Sequence, residues 1–121
     1  MMIGTIRRWM QYMLIPGDVV VVLFSYSDMS GAKIRPALVM SSETFILETG
    51  MVVLAAISSK PIRNNFEVSI IDWQLAGLRL PSKVCVGKLM TVNMGLIKKI
   101  GHLSDADINR IREIAGNAID F

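Results

Sequence analysis

His102 and Cys85 are the only histidine and the only cysteine in the 121-residue chain, and that narrows the chemistry open to it. A zinc site takes three or four His, Cys or carboxylate ligands, and these two residues stand alone. A two-metal nuclease takes clustered carboxylates, yet between residues 29 and 104 only Glu43, Glu48, Glu67 and Asp72 occur, widely spaced. Gly87-Lys88 suggests a phosphate-binding loop, but that loop needs glycine at 82 and a hydroxyl at 89. The chain has Ser82 and Leu89 there. Cys85 lies among valines and reads as a small core residue, and His102, just before a helix start, as a structural or surface group. No metal and no cofactor is expected.

What remains is cationic. The net charge of +3 conceals an uneven distribution, with nine bases against four acids between residues 33 and 99. The segment before is balanced and the segment after is acidic. A basic middle fits an anionic partner, nucleic acid or an acidic peptide, and equally an ordinary solvated surface. Two stretches stand out within it. One is Lys33-Ile34-Arg35-Pro36-Ala37-Leu38-Val39, after a polar loop; the other is Ala55-Ala56-Ile57-Ser58-Ser59-Lys60.

The elements that would position these residues are short strands. Pro16-Gly17-Asp18 is a turn signal. Val19 to Tyr26, Pro36 to Ser41, Met51 to Ser58, Phe66 to Ile71, Val84 to Met90 and Leu96 to Ile100 read as strands, the fourth with half-buried alternation. Glu43 to Gly50 joins two of them, and Asp72 caps a short turn that stops at Gly77. Ser104 with Asp107 forms a capping pattern. Ile108, Ile111, Ile114 or Ala115, and Ala118 then recur at helical spacing. The expected architecture is mainly β, a small, mostly antiparallel barrel or curled sheet with one helix packed on it.

The length allows one domain, and 52% apolar residues exclude disorder. The longest apolar run, Met51 to Ile57, is far short of the roughly 20 residues of a membrane span. A lone cysteine suits a reducing, cytoplasmic setting. Residues 1–14 read as an extension, either an upstream start read into the chain or a short amphipathic helix or disordered arm. They lack the apolar stretch and cleavage site of a secretory signal.

In chain order the pieces G-D-V-V-V-V, R-P-A-L-V, A-A-I-S-S-K, A-G-L before P-S-K-V, and I-G-H-L-S-D resemble the MazF/PemK family of toxins. The likeness runs from about Pro16 to the last helix. It implies an SH3-like small barrel of five to seven strands over residues 15–121, a homodimer, and a cognate protein antitoxin as partner. DNA would be met only through the antitoxin complex, and no membrane is involved. It implies metal-independent cleavage of single-stranded RNA, in which the 2′-hydroxyl attacks the adjacent phosphorus and leaves a 2′,3′-cyclic phosphate and a 5′-hydroxyl.

On this resemblance Arg35 is the catalytic arginine, since a guanidinium is always charged and offers paired donors to phosphate oxygens. Ser58 stands where the family more often has threonine, its hydroxyl directed at the scissile phosphate or the 2′-oxygen, or else at local backbone. Lys33, Ser59, Lys60 and Arg63 are the candidate RNA contacts. One departure stands against the match: where some members carry V-R-x-D, this chain reads Val84-Cys85-Val86-Gly87. The alternatives are therefore a ribonuclease and a degenerate homologue that binds RNA or antitoxin without cutting. A gyrase poison of the CcdB kind would end in Trp-Gly-Ile, whereas this chain ends Ala118-Ile119-Asp120-Phe121.

Overall fold

The computed structural model describes residues 13–25 and 32–120; the readings placed on residues 1–12 and on 26–31 lie outside these. Six strands, β1 (Asp18–Ser25), β2 (Ala32–Val39), β3 (Met51–Ser58), β4 (Glu67–Ile70), β5 (Ser82–Asn93) and β6 (Ile97–His102), form one antiparallel sheet in the order β4-β5-β3-β2-β1-β6. Two α-helices, α1 (Glu43–Thr49) and α2 (Asp105–Ala118), and a single 3-10 turn (Met94–Leu96) between β5 and β6 complete the described elements. No described helix is long and apolar enough to cross a membrane.

The run of valines in β1 is explained by burial on both sides of the sheet. Val19, Leu38, Ala55, Ile57, Val84, Val86 and Ile111 form one core, and Val20, Val22, Ala37, Val39, Ile46, Val52 and Leu54 the other. α2 covers the first face and α1 the second, through Ile111 and Ile46. Ala118, expected on the apolar stripe of α2, is exposed.

The mainly β expectation holds, but the described sheet does not close into a barrel: β4 and β6 terminate the strand order. Both edges are covered by other means. Arg110 of α2 donates from Nη2 to the carbonyl of Ser69 on β4, 2.8 Å. The turn after β4 packs backbone to backbone against β6. A Cβ on Gly101 would lie 2.1 Å from the Ala76 carbonyl oxygen, and one on Gly77 (φ +83) 2.3 Å from that of Ile100. Only glycine fits at either position.

Asp107 departs from its sequence reading. Ser104 Oγ caps α2 by accepting from Asp107 N, but the Asp107 carboxylate does not return the bond. It accepts instead from the backbone N–H groups of Ile71 (3.1 Å) and Asp72 (2.9 Å), and pairs with Arg110. Asp107 ties the turn after β4 to the helix. The Glu43–Gly50 connection is likewise a helix, capped by Ser42 Oγ and ended by Gly50 in the left-handed conformation.

Candidate active site

β2 pairs with β1 over residues 32–38 but with β3 only over 37–39. Proline has no N–H to give a ladder, and Pro36 stands where the pairing with β3 stops. Beyond it the two strands part, and a cavity of about 210 Å³ opens between them. Its floor follows from one row of paired residues, Ala37 with Ala56, Ala56 with Cys85 and Cys85 with Glu67. The first three are small, which leaves the trough unfilled. Side chains two residues along a strand share a face, so the same register sets Arg35 at the level of Ser58, and Ser58 is paired with Lys83.

A bulge supplies a further cation. β5 pairs Leu89 with Ala55 but Cys85 with Ala56, so Val86, Gly87 and Lys88 have no partner on β3. Such an insertion re-aims side chains, and Lys88 lines the cavity with Arg35, Ser58, Lys60, Arg63 and Lys83. Of the six sequence candidates, the cavity gathers Arg35, Ser58, Lys60 and Arg63. Lys33 and Ser59 are exposed and do not line it.

Arg35 is exposed, and no carboxylate pairs with it among the described residues. Ser58 Oγ accepts from Lys60 N at 3.1 Å, which fixes the hydroxyl oxygen while its own proton remains available to donate. Arg63, in contrast, is engaged: its Nε and Nη2 donate to Glu67 Oε2 at 3.1 and 2.8 Å. Glu67 Oε1 accepts from Lys83 Nζ at 2.5 Å and from Arg63 N at 2.7 Å. The Lys83 ammonium also donates to the Pro61 carbonyl, 2.6 Å, and this residue is only 3% exposed.

The alternation read over Phe66–Ile71 fails at its first two positions. Glu67 is buried and Phe66 is exposed, because four donors satisfy the carboxylate inside. Hydrogen bonds from Arg63 and then Lys83 hold its carboxyl down to about 2, against the burial that opposes ionisation. Burial pushes the Cys85 thiol up, so Cys85 is a neutral floor residue and not a nucleophile. Glu67, Lys83 and Lys88 were absent from the sequence candidates; the pairing of Glu67 with Cys85 across β4 and β5 is what brings the first two together. Among the described residues no three of His, Cys, Asp or Glu converge as a metal-ligand group.

A six-stranded antiparallel sheet with a helix on each face, split at β2 and β3 over a cationic trough, is the architecture to be matched. The chain belongs to the PemK-like, MazF-like toxin family of type II toxin–antitoxin systems, whose model matches residues 15–117. Among solved structures it is similar to MazF in the MazE–MazF complex of Deinococcus radiodurans (19% identity, 88% of this chain and 96% of that one, TM-score 0.73). The endoribonuclease bound to its cognate antitoxin from a mycobacterial species matches at 18% identity, over 87% and 93% of the chains, TM-score 0.69. The Mycobacterium tuberculosis toxin MazF-mt6 matches at 22% identity, over 86% and 99%, TM-score 0.69. No curated protein sequence matches the chain.

Proposed function

We propose that the chain is an endoribonuclease toxin that cuts single-stranded RNA in the cytoplasm without a metal ion. It would act as a homodimer held in check by a cognate antitoxin, as the antitoxin-bound relatives suggest. The observation that carries the reading is Arg35 without a carboxylate partner among the described residues, beside the oriented Ser58 hydroxyl, in an open trough with Lys60 and Lys88.

In this reading the 2′-oxygen forms a bond to the adjacent phosphorus and gives its proton to solvent water, and the bond from phosphorus to the 5′-oxygen breaks. The 5′-oxygen takes a proton from water, leaving a 2′,3′-cyclic phosphate and a 5′-hydroxyl. Negative charge grows on the non-bridging oxygens along the way. The Arg35 guanidinium meets two of them with parallel donors, and the Ser58 hydroxyl donates to the phosphate from the opposite strand.

A second reading, binding without cleavage, rests on the absence of a ready base. Glu67 is held at about 2 and paired with two cations, and position 87, where the V-R-x-D pattern of the resemblance would place an aspartate, is Gly87. One experiment separates the two. Purified protein is incubated with a long single-stranded RNA in EDTA, and the ends of the fragments are identified. Cyclic phosphate ends that vanish in Arg35→Ala support the nuclease; RNA bound but uncut supports the binding module.

A further inference from the structure

Residues 59–66 join β3 to β4 without forming a helix or strand, yet they bring Lys60 and Arg63 to the trough. A segment of this kind is held where its backbone groups find partners. Two anchors lie in its middle. The Pro61 carbonyl accepts from Lys83 Nζ at 2.6 Å, and the Arg63 N–H donates to Glu67 Oε1 at 2.7 Å. Lys83 Nζ also donates to that same Oε1, at 2.5 Å, so the two anchors act as one unit. At the near end the Lys60 N–H donates to Ser58 Oγ. We propose that Lys83 is a positioning residue for RNA cleavage, clamping residues 60–63 so that the Lys60 N–H fixes the Ser58 hydroxyl over the trough. The proposal deepens the ribonuclease reading and rests on it.

The first support is placement. β5 pairs Lys83 directly with Ser58, so the ammonium and the hydroxyl rise from neighbouring strands on one face. The ammonium reaches past Ser58 to the carbonyl of Pro61. Proline locks its own φ and restricts the residue before it, so a hold on Pro61 is passed to Lys60. The second support is the serine itself. Without a β-branch its side chain has three staggered wells, and the bond from the Lys60 N–H selects one of them.

The third support is burial. Lys83 is 3% and Glu67 7% exposed. A buried ion pair often gains nothing over apolar residues of the same volume, so stability alone gives little reason for charges here. Direction does. An ammonium with three donors can bridge a carboxylate on β4 and a carbonyl in the connection, which an apolar contact cannot. The bonds at the far end of the segment are local, from Phe66 N to Asn64 Oδ1 and from Glu67 N to the Asn64 carbonyl, and do not reach β5.

The test is a cycle of substitutions read by RNA cleavage and by backbone order. Lys83→Met keeps the apolar stem and removes the ammonium. It is expected to lower kcat about tenfold, the loss of one hydrogen-bond donor, with KM little changed. In a Ser58→Ala background the same substitution should cost less than about twofold, because the group it positions is gone. Ser58→Thr, with its stiffer rotamer, should recover most of the loss in Lys83→Met. Lys83→Met with Glu67→Gln removes both buried charges and should lose kcat equally, which guards against a folding defect from a half-paired Glu67. The N–H order parameters of Lys60 and Arg63 should fall from about 0.85 towards 0.6 in Lys83→Met, while those of Ala56 and Val84 hold. An equal loss in both Ser58 backgrounds makes Lys83 an independent contact and overturns the proposal, as does a wild-type kcat in Lys83→Met. A wild type that cuts no RNA overturns the ribonuclease reading, whereas unchanged order at Lys60 in Lys83→Met overturns the clamp alone.

Discussion

Around Asp18 and Asp107 the carboxylates are fully buried and met by donors of the chain itself, whereas around Arg35 the cations face open space. Asp18 accepts from Ile15 N at 2.9 Å, lies 2.7 Å from His102 Nδ1 and pairs with Lys99 at 3.0 Å, which clasps β1 to β6. Asp107 joins α2 to the turn after β4. These charges have answered their hydrogen-bonding needs within the fold, so their role is to hold it. In the trough Arg35, Lys60 and Lys88 have no carboxylate partner among the described residues, so their charges remain open. Glu67 with Arg63 and Lys83 stands on the border, an internally satisfied trio that walls the open site.

The comparison breaks most sharply at Arg35. Arg35→Ala is expected to lower RNA cleavage at least about 100-fold, the loss typical of a missing transition-state donor. Stability should change by less than about 0.5 kcal/mol, because the residue is exposed and no carboxylate pairs with it among the described residues. Kinetics together with a urea melt check both halves. Unfolding in place of activity loss would move Arg35 into the structural class. Asp107→Ala should do the reverse. Leaving the N–H groups of Ile71 and Asp72 and the Arg110 guanidinium without the buried carboxylate they share costs about 3 kcal/mol, read as a lower urea midpoint, with RNA affinity unchanged.

How much of this was legible in the sequence follows the same division. The strands Met51–Ser58 and Leu96–Ile100, the turn at Gly77 and the helix after Ser104 were readable because local pattern and capping decide them. The resemblance singled out Arg35, Ser58 and Lys60, and register explains why Arg35 and Ser58 line one cavity. The long-range choices were not legible. Nothing local tells Asp107 to abandon its own helix end for Ile71 and Asp72, 36 and 35 residues away. Period-2 alternation assigned Phe66 inward and Glu67 outward, and Lys83 from a distant strand reversed that choice by pairing with Glu67. The α1 helix was hidden by its seven-residue length, too short for periodicity to speak.

The border trio gives the pH test. Glu67 titrates at about 2 in the fold against an ordinary 4.5. A carboxyl lowered in this way adds stability that is fully present above about pH 4.5 and is lost as the pH falls towards 2. Asp107, also held low by Ile71, Asp72 and Arg110 against the cost of its burial, loses its contribution in the same acid direction. The urea midpoint of the wild type should therefore fall steeply below pH 4.5, and Glu67→Gln should flatten that slope in part, since Asp107 remains. An unchanged slope would mean that Glu67 is equally perturbed in the unfolded chain. Ser58 comes next in size. Ser58→Ala is expected to slow cleavage about tenfold by removing one donor, and Ser58→Thr should match or exceed the wild type because the β-methyl restricts the rotamer.

Lys60 marks the lower limit of the contrast. Its ammonium lines the trough and is exposed, but its backbone N–H already serves Ser58, so backbone and side chain of one residue fall on opposite sides of the division. Lys60→Met removes only the ligand-facing part. A single phosphate contact in water is worth little, so affinity for single-stranded RNA should drop only a few-fold, with the melt unaltered. The sharper readout is salt. One released counterion per contact means that the slope of log affinity against log salt should shrink by about 0.7 for a single strand. An unchanged slope would return Lys60 to the ordinary solvated surface, and the ligand-facing set would contract to Arg35, Ser58 and Lys88.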